Sequence, residues 1–190
     1  GVGVSLVFYQ QSLDSIYYHS EYPTAFPSTS ISLSIAEDSH VLINITDGCS
    51  TEIILVDSTL IEGTHSFLWD GTDYDNRIVY NGLYNLNVYV DNSILETNEL
   101  LVLFDYSYIS IEEVNVHAVT DSDGYYEINQ DCLPFDYNGL LTDESGNIIG
   151  ESTISRYVKL WAISNNFANE ISDLVYIDMI SGAEINLEIQ

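Results

Sequence analysis

His65-Ser66-Phe67-Leu68-Trp69-Asp70-Gly71-Thr72-Asp73 decides the fold, together with Asn76 and Asn81-Gly82-Leu83-Tyr84 behind it. Alternation through Thr64, Ser66 and Leu68 reads as a strand that ends on Trp69. Asp70-Gly71-Thr72-Asp73 supplies the residues of a sharp turn, Asn81-Gly82 those of another, and Tyr84-Leu86-Val88-Val90 resumes a period-2 strand. This is the spacing of a β-sandwich hairpin, not of an active site. Trp69 is expected as a core anchor, with Asp70, Gly71, Gly82 and Tyr84 as structural residues of the same hairpin.

Working outward, Ile31-Leu33-Ile35 and Val41-Ile43-Ile45 alternate around a turn at Glu37-Asp38-Ser39. Asp47-Gly48 turns into Ile53-Leu55, and Glu62-Gly63 into Phe67-Trp69. Turn signals about every 8 to 12 residues are those of a sandwich. Beyond Asp91-Asn92, residues 100–104 and Val114-Val116-Ala118 read as strands. Asp121-Ser122-Asp123-Gly124 reads as a turn into a strand over 125–128, and residues 157–163 and 185–189 close the chain as strands. Helix is confined to one turn near 165–168. The expected fold is all-β with two tandem sandwiches: an N-terminal strand and linker over 1–22, a first domain over 23–106 and a second over 107–190.

Composition agrees. Ile, Val, Thr, Ser and Tyr suit a pleated surface, and 46% hydrophobic residues in 190 are enough for real cores. Charged residues make up 17%, below the roughly 25% of soluble domains. Acidic residues number 30 against three basic ones, Arg77, Arg156 and Lys159. A net charge of −27 excludes nucleic acid and anionic membrane as electrostatic partners. It also demands screening by salt, divalent cations or a cationic partner. No run approaches the roughly 20 apolar residues of a membrane helix. The chain opens on Gly1 rather than Met, so removal of a leader or tag is expected. Cys49 and Cys132 have neither metal nor redox spacing; a disulfide between them and two separate thiols are equally open.

The block over residues 31–90 resembles the Ig-like domain of the bacterial flagellar hook-capping protein, a module that recurs in secreted and cell-surface proteins. The matching residues are Ala36, Val41-Leu42-Ile43-Asn44-Ile45, Asp47, Gly63-Thr64-His65, Trp69-Asp70-Gly71-Thr72-Asp73, Val79 and Gly82-Leu83-Tyr84. Asn76 stands where that family usually has Gly, and Asn is the other residue that best tolerates positive φ. The hook-capping protein's remaining parts are missing, which argues against hook capping as the job. Residues Val119-Thr120-Asp121-Ser122-Asp123-Gly124-Tyr125-Tyr126-Glu127-Ile128 are similar to the turn of carboxypeptidase-regulatory-like, transthyretin-like sandwiches. Both resemblances imply non-catalytic modules.

Chemistry-bearing motifs are sparse. Asp73-x-Asp75 and Asp121-x-Asp123 are candidate Ca²⁺ ligands, but Arg77 and Tyr125 stand where a metal loop needs its third oxygen, so capping of Asx turns is the competing reading. His19, His40, His65 and His117 show no paired metal spacing; His65 and His117 fall in strand patterns and read as sheet residues. There is no Gly-x-Ser-x-Gly elbow, phosphate loop or Cys–His signature. Some of the 15 Tyr could stack sugars or fill protein interfaces.

The sequence therefore leads to a non-enzymatic extracellular or cell-surface structural protein, self-assembling as a homo-oligomer or filament and requiring no cofactor, with Ca²⁺ as a candidate ion. The donor-strand candidates are Val2, Val4, Leu6 and Phe8, which would complete a sheet in a neighbour or in their own chain. The alternative is a glycan- or protein-binding accessory module of a larger surface protein.

Overall fold

The computed structural model describes residues 2–12, 15–17, 29–49, 51–102, 115–129, 133, 138–142, 148–163, 170–172 and 175–178. Six strands form the first unit: β3 (Thr29–Ile35), β4 (Ser39–Thr46), β5 (Glu52–Leu60), β6 (Gly63–Trp69), β7 (Gly82–Val90) and β8 (Ser93–Val102). They make two antiparallel sheets, β3–β6 and β5–β4–β7–β8, which enclose one core. The alternation dictates which side each residue faces. Ile31, Leu33 and Ile35 of β3 are buried while Ser30, Ser32 and Ser34 between them are exposed. Val41, Ile43 and Ile45 of β4 and Tyr84, Leu86 and Val88 of its neighbour β7 line one face of the four-stranded sheet and share a core with Ile31, Leu33 and Ile35 of β3.

The outer face of the four-stranded sheet carries a one-way hydrogen-bond chain across every strand. Thr97 Oγ1 donates to Asn87 Oδ1 at 3.0 Å, Asn87 Nδ2 to Asn44 Oδ1 at 3.1 Å, and Asn44 Nδ2 to Glu52 Oε1 at 2.7 Å. This satisfies the buried Asn44 amide and fixes strand register. Asp91 and Asn92 close the β7–β8 hairpin at φ 48° and 65°, the left-handed pair a two-residue turn needs. The edge strand β5 is partly capped: the Tyr74 hydroxyl accepts the Ile54 N–H at 2.5 Å.

The second unit is one seven-stranded antiparallel sheet: β1 (Gly3–Ser12), β2 (Ser15–Tyr17), β9 (Ala118–Val119), β10 (Asn138–Thr142), β11 (Ile148–Ile163), β12 (Glu170–Ile171) and β13 (Val175–Tyr176). Its centre is the pairing of β1 with β11, with Gly3 opposite Ile163 and Phe8 opposite Val158. Leu160, Trp161, Ala162 and Ile163 are all buried, so both faces of β11 are covered at that end.

All described structure is strand, turn or irregular, with no helix among the described residues. Two strand expectations are corrected. Of the expected strand over 114–118, Val114 lies outside the described residues, and over 115–118 only Ala118 joins a strand, because Asn115 and His117 bond sideways to the first unit rather than along a ladder. Residues 125–128 are irregular, since the Tyr125 N–H and carbonyl both close a loop on Asp121. The expected boundary at 106, the helical turn at 165–168 and the strand at 185–189 lie outside the described residues.

Candidate functional site

Three loops share one construction. In residues 73–77, Asp73 Oδ1 accepts the N–H of Asp75 at 2.9 Å and of Arg77 at 2.9 Å, while Asp73 N–H donates to the Arg77 carbonyl at 2.9 Å. Residues 121–125 repeat this, with Asp121 Oδ1 accepting from Asp123 and Tyr125 at 2.9 Å each. Residues 47–51 do so again, with Asp47 Oδ1 accepting from Cys49 at 2.7 Å and Thr51 at 3.0 Å. The geometry is that of an Asx turn, in which one carboxylate oxygen replaces a backbone acceptor. The fourth loop residue is left-handed in the two fully described copies, Asn76 at φ 58° and Gly124 at φ 85°.

The candidate ligands Asp73, Asp75, Asp121 and Asp123 thus sit in two separate loops, where Asp75 and Asp123 give their N–H groups and have exposed side chains. Among the described residues no group of three or more His, Cys, Asp or Glu is placed to hold a metal. Trp69 is 2% exposed, packs 6.0 Å from Tyr84 between ring centroids, and donates Nε1–H to Thr72 O at 2.9 Å. Asp70 Oδ1 accepts the Thr72 N–H and hydroxyl, Gly71 takes φ 80°, and Gly82 packs beside Tyr80 and Tyr84.

A polar arrangement around Asp47, Tyr80 and His117 joins the two units. Tyr84 donates its hydroxyl to Tyr80 O at 2.8 Å, and the Tyr80 hydroxyl donates to Asp47 Oδ2. Burial would raise the Asp47 carboxyl, but the Tyr80 hydroxyl, the Thr51 side chain and the amides of Cys49 and Thr51 outweigh it and hold it below its ordinary 3.8. His117 lies 4.5 Å from Tyr80 between ring centroids, which completes an aromatic row Trp69–Tyr84–Tyr80–His117 from core to junction. Its Nε2 is 2.8 Å from the Asn81 carbonyl. A carbonyl only accepts, so Nε2 carries the proton of the neutral ring. Burial pulls His117 from 6.5 down to about 4, against the Asn81 carbonyl and the Asp47 charge, which both favour protonation.

Residues around His117 fasten both ways. Asn115 donates its N–H to Ile78 O and its Nδ2 to Asp73 Oδ2, each at 2.7 Å. Burial raises Asp73, yet Asn115, the amides of Arg77 and Asp75 and the Arg77 charge together keep it low. On the other side, Ala118 and Val119 pair with Val4 and Gly3. The Thr120 N–H reaches Val2 O at 3.0 Å, and the Val2 N–H reaches Thr120 Oγ1 at 2.9 Å. Residues 115–120 are a polar clasp between the sandwich and β1. In the single chain the donor-strand candidates are engaged at home: Val4, Leu6 and Phe8 pair with Ala162, Leu160 and Val158 of β11.

Sequence reasoning took His117 for an ordinary sheet residue and gave Tyr80 no role. The local signal was a lone His between two units; its partners at 47, 80 and 81 are distant in sequence. His65 does lie in β6, with Nε2 on Ile61 O. Cys49 is disulfide-bonded; Cys132, the other cysteine in the sequence, lies outside the described residues.

No protein-family model, curated protein or solved structure matches the chain. Among the described residues no helix is long and apolar enough to cross a membrane, which says nothing of β-barrels.

Proposed function

We propose that the chain is a non-enzymatic, extracellular structural subunit of two tandem Ig-like and transthyretin-like sandwiches, which assembles by exchanging its N-terminal strand between copies. The observation that carries this is the pairing of β1 with β11, Gly3 opposite Ile163, from opposite ends of the sequence. A strand that fits a sheet built by a distant part of its own chain fits the same slot in a second copy with identical hydrogen bonds. Residues 18–28 between β2 and β3, including Pro23 and Pro27, give about 36 Å of reach if extended. The disulfide at Cys49 supports an oxidising, extracytoplasmic location. Burial on both faces of β11 supports a second layer over the C-terminal sheet. Carboxylates engaged in turns and at the junction support a scaffold, with divalent ions screening the contact between acidic copies.

One observation favours the accessory-module reading: Tyr157 and Tyr176 form an exposed cross-strand pair with centroids 5.2 Å apart, a surface on which a sugar ring could stack. Negative-stain imaging and size measurement, with and without millimolar Ca²⁺ and with salt at matched ionic strength, test the assembly. The expected result is polymers from the full chain and none after deletion of residues 2–12. Polymers from the deleted chain would overturn the strand-exchange reading, and glycan binding lost in Tyr176→Ala would favour the accessory module.

A further inference from the structure

We propose that the face of β11 around Tyr157 binds a saccharide chain that is neutral apart from one acidic sugar: the Tyr157–Tyr176 pair takes a ring, and Lys159 takes the carboxylate beside it. The inference rests on the accessory-module reading of that pair and adds the charge of its ligand. The strand that carries the pair is fixed on both edges. Val158 pairs with Phe8 of β1 on one side and Val175 of β13 on the other, and the Ile177 N–H donates to Arg156 O at 2.8 Å. Val158 and Leu160 are 0% and 1% exposed, yet Tyr157 stays 41% and Tyr176 51% exposed. Two large rings are thus held in solvent on an anchored strand, where they offer stacking area at little cost in side-chain entropy. Their planes are tilted by 60° with centroids 5.2 Å apart, so they do not make one flat plate. That shape suits a single saccharide chain rather than a crystalline polysaccharide surface.

The charges beside the pair set the ligand's direction. Residues two apart on a strand share a face, so Lys159 stands on the side of Tyr157, about 7 Å along the strand, and Arg156 on the other side. Tyr176 lies opposite Tyr157, and the same antiparallel register puts Asp178 at the far end of the pair from Lys159. An ammonium only donates and a carboxylate only accepts. An acidic sugar is therefore drawn to the Lys159 end and repelled at the Asp178 end, where sugar hydroxyls can donate instead. The whole chain narrows the ligand further. Its net charge of −27 repels a polyanion. Two of its three basic residues, Arg156 and Lys159, stand on β11. One carboxylate within a Debye length of Lys159, about 8 Å in physiological salt, meets that cation at close range, whereas every further charge on the ligand meets acidic surface.

Calorimetric titration of the full-length chain tests this, in EDTA so that no divalent ion bridges carboxylates. The probes are sialyllactose and a xylotetraose bearing one glucuronic acid, each beside its neutral counterpart, lactose or xylotetraose. The expected result is binding of both members of at least one pair, the acidic member about fivefold tighter, as one exposed ion pair allows. Lys159→Gln should abolish that preference and leave neutral binding unchanged. Tyr176→Leu, which keeps apolar bulk without the ring, should weaken both members about tenfold. Equal affinities for the two members in the native chain would overturn the acidic ligand and leave the accessory reading standing, whereas binding of no probe would overturn both. Undiminished binding by Tyr176→Leu would put the site elsewhere and overturn the proposal. Self-association of the native chain that disappears in Lys159→Gln without sugar would make this face a contact between copies and overturn it as well.

Discussion

The sandwich over 29–102 and the sheet around β11 are closed by opposite routes. In the sandwich, consecutive strands pair at short turns, β4 with β5 and β7 with β8, and the remaining sheet joins β3 to β6. Alternation there sorts core from surface residue by residue. The second sheet is completed from the other end of the chain: its long strand β11 takes β1 as a neighbour, and β9 arrives from the clasp at 115–120. A locally closed unit is specified by its own turns, whereas a unit closed at long range depends on whatever brings the distant strand home. Here that is β11 and the His117 clasp together.

Deleting residues 2–12 should therefore separate the two regions most sharply. Amides of β11 facing β1 should lose protection in hydrogen exchange while those of β4 and β7 keep theirs. Uniform loss through both units would mean that the sandwich also needs β1, and the comparison would fail.

Trp69→Ala acts on the other side. It removes a fully buried ring from the sandwich and should cost about 3–5 kcal/mol, roughly 10 °C in melting temperature. Calorimetry should show the loss in the transition that contains the sandwich; an unchanged melting temperature would remove Trp69 from the core.

Asp47→Ala strikes the junction. It leaves the amides of Cys49 and Thr51 and the Tyr80 hydroxyl without their acceptor, at a cost of about 2 kcal/mol at pH 7 by denaturant titration. The Asp47 carboxyl is held below its ordinary 3.8 in the folded chain, so its ionisation supports the fold above that pH. As pH falls through the lowered value the native chain loses that support, and the gap between native and variant should narrow. A constant gap down to pH 2 would show that the carboxylate charge contributes nothing.

The smallest effect is expected at Asn76, whose φ of 58° suits Asn or Gly. Asn76→Ala should cost about 1 kcal/mol and Asn76→Gly close to nothing. Equal costs would mean that the Asn side chain, not the backbone angle, matters.

Much of the sandwich was legible because its signals are local. Serines alternating with Ile31, Leu33 and Ile35 declare a half-buried strand, and Asp-Gly, Asn-Gly and Asp-Asn steps declare turns. The Asx role of Asp73 and Asp121 followed from the residues after them, since Arg77 and Tyr125 supply no oxygen at the place a metal loop needs one. The junction was not legible in the same way. Asp47, Tyr80 and His117 each look ordinary within ten residues of sequence, and only their meeting gives Asp47 its lowered pKa and His117 its contacts with Tyr80 and Asn81.

By itself, then, the sequence determined an all-β chain, the strand pattern of 31–90, its turn chemistry and its acidic surface, because period-2 alternation and left-handed turn residues act over a few neighbours. The tertiary structure alone decided that β1 pairs with β11 and that His117 sits against Tyr80 and Asn81. Alternation says which side of a strand is apolar but not which sheet the strand joins, and a side chain's burial depends on distant residues that only the completed fold brings beside it.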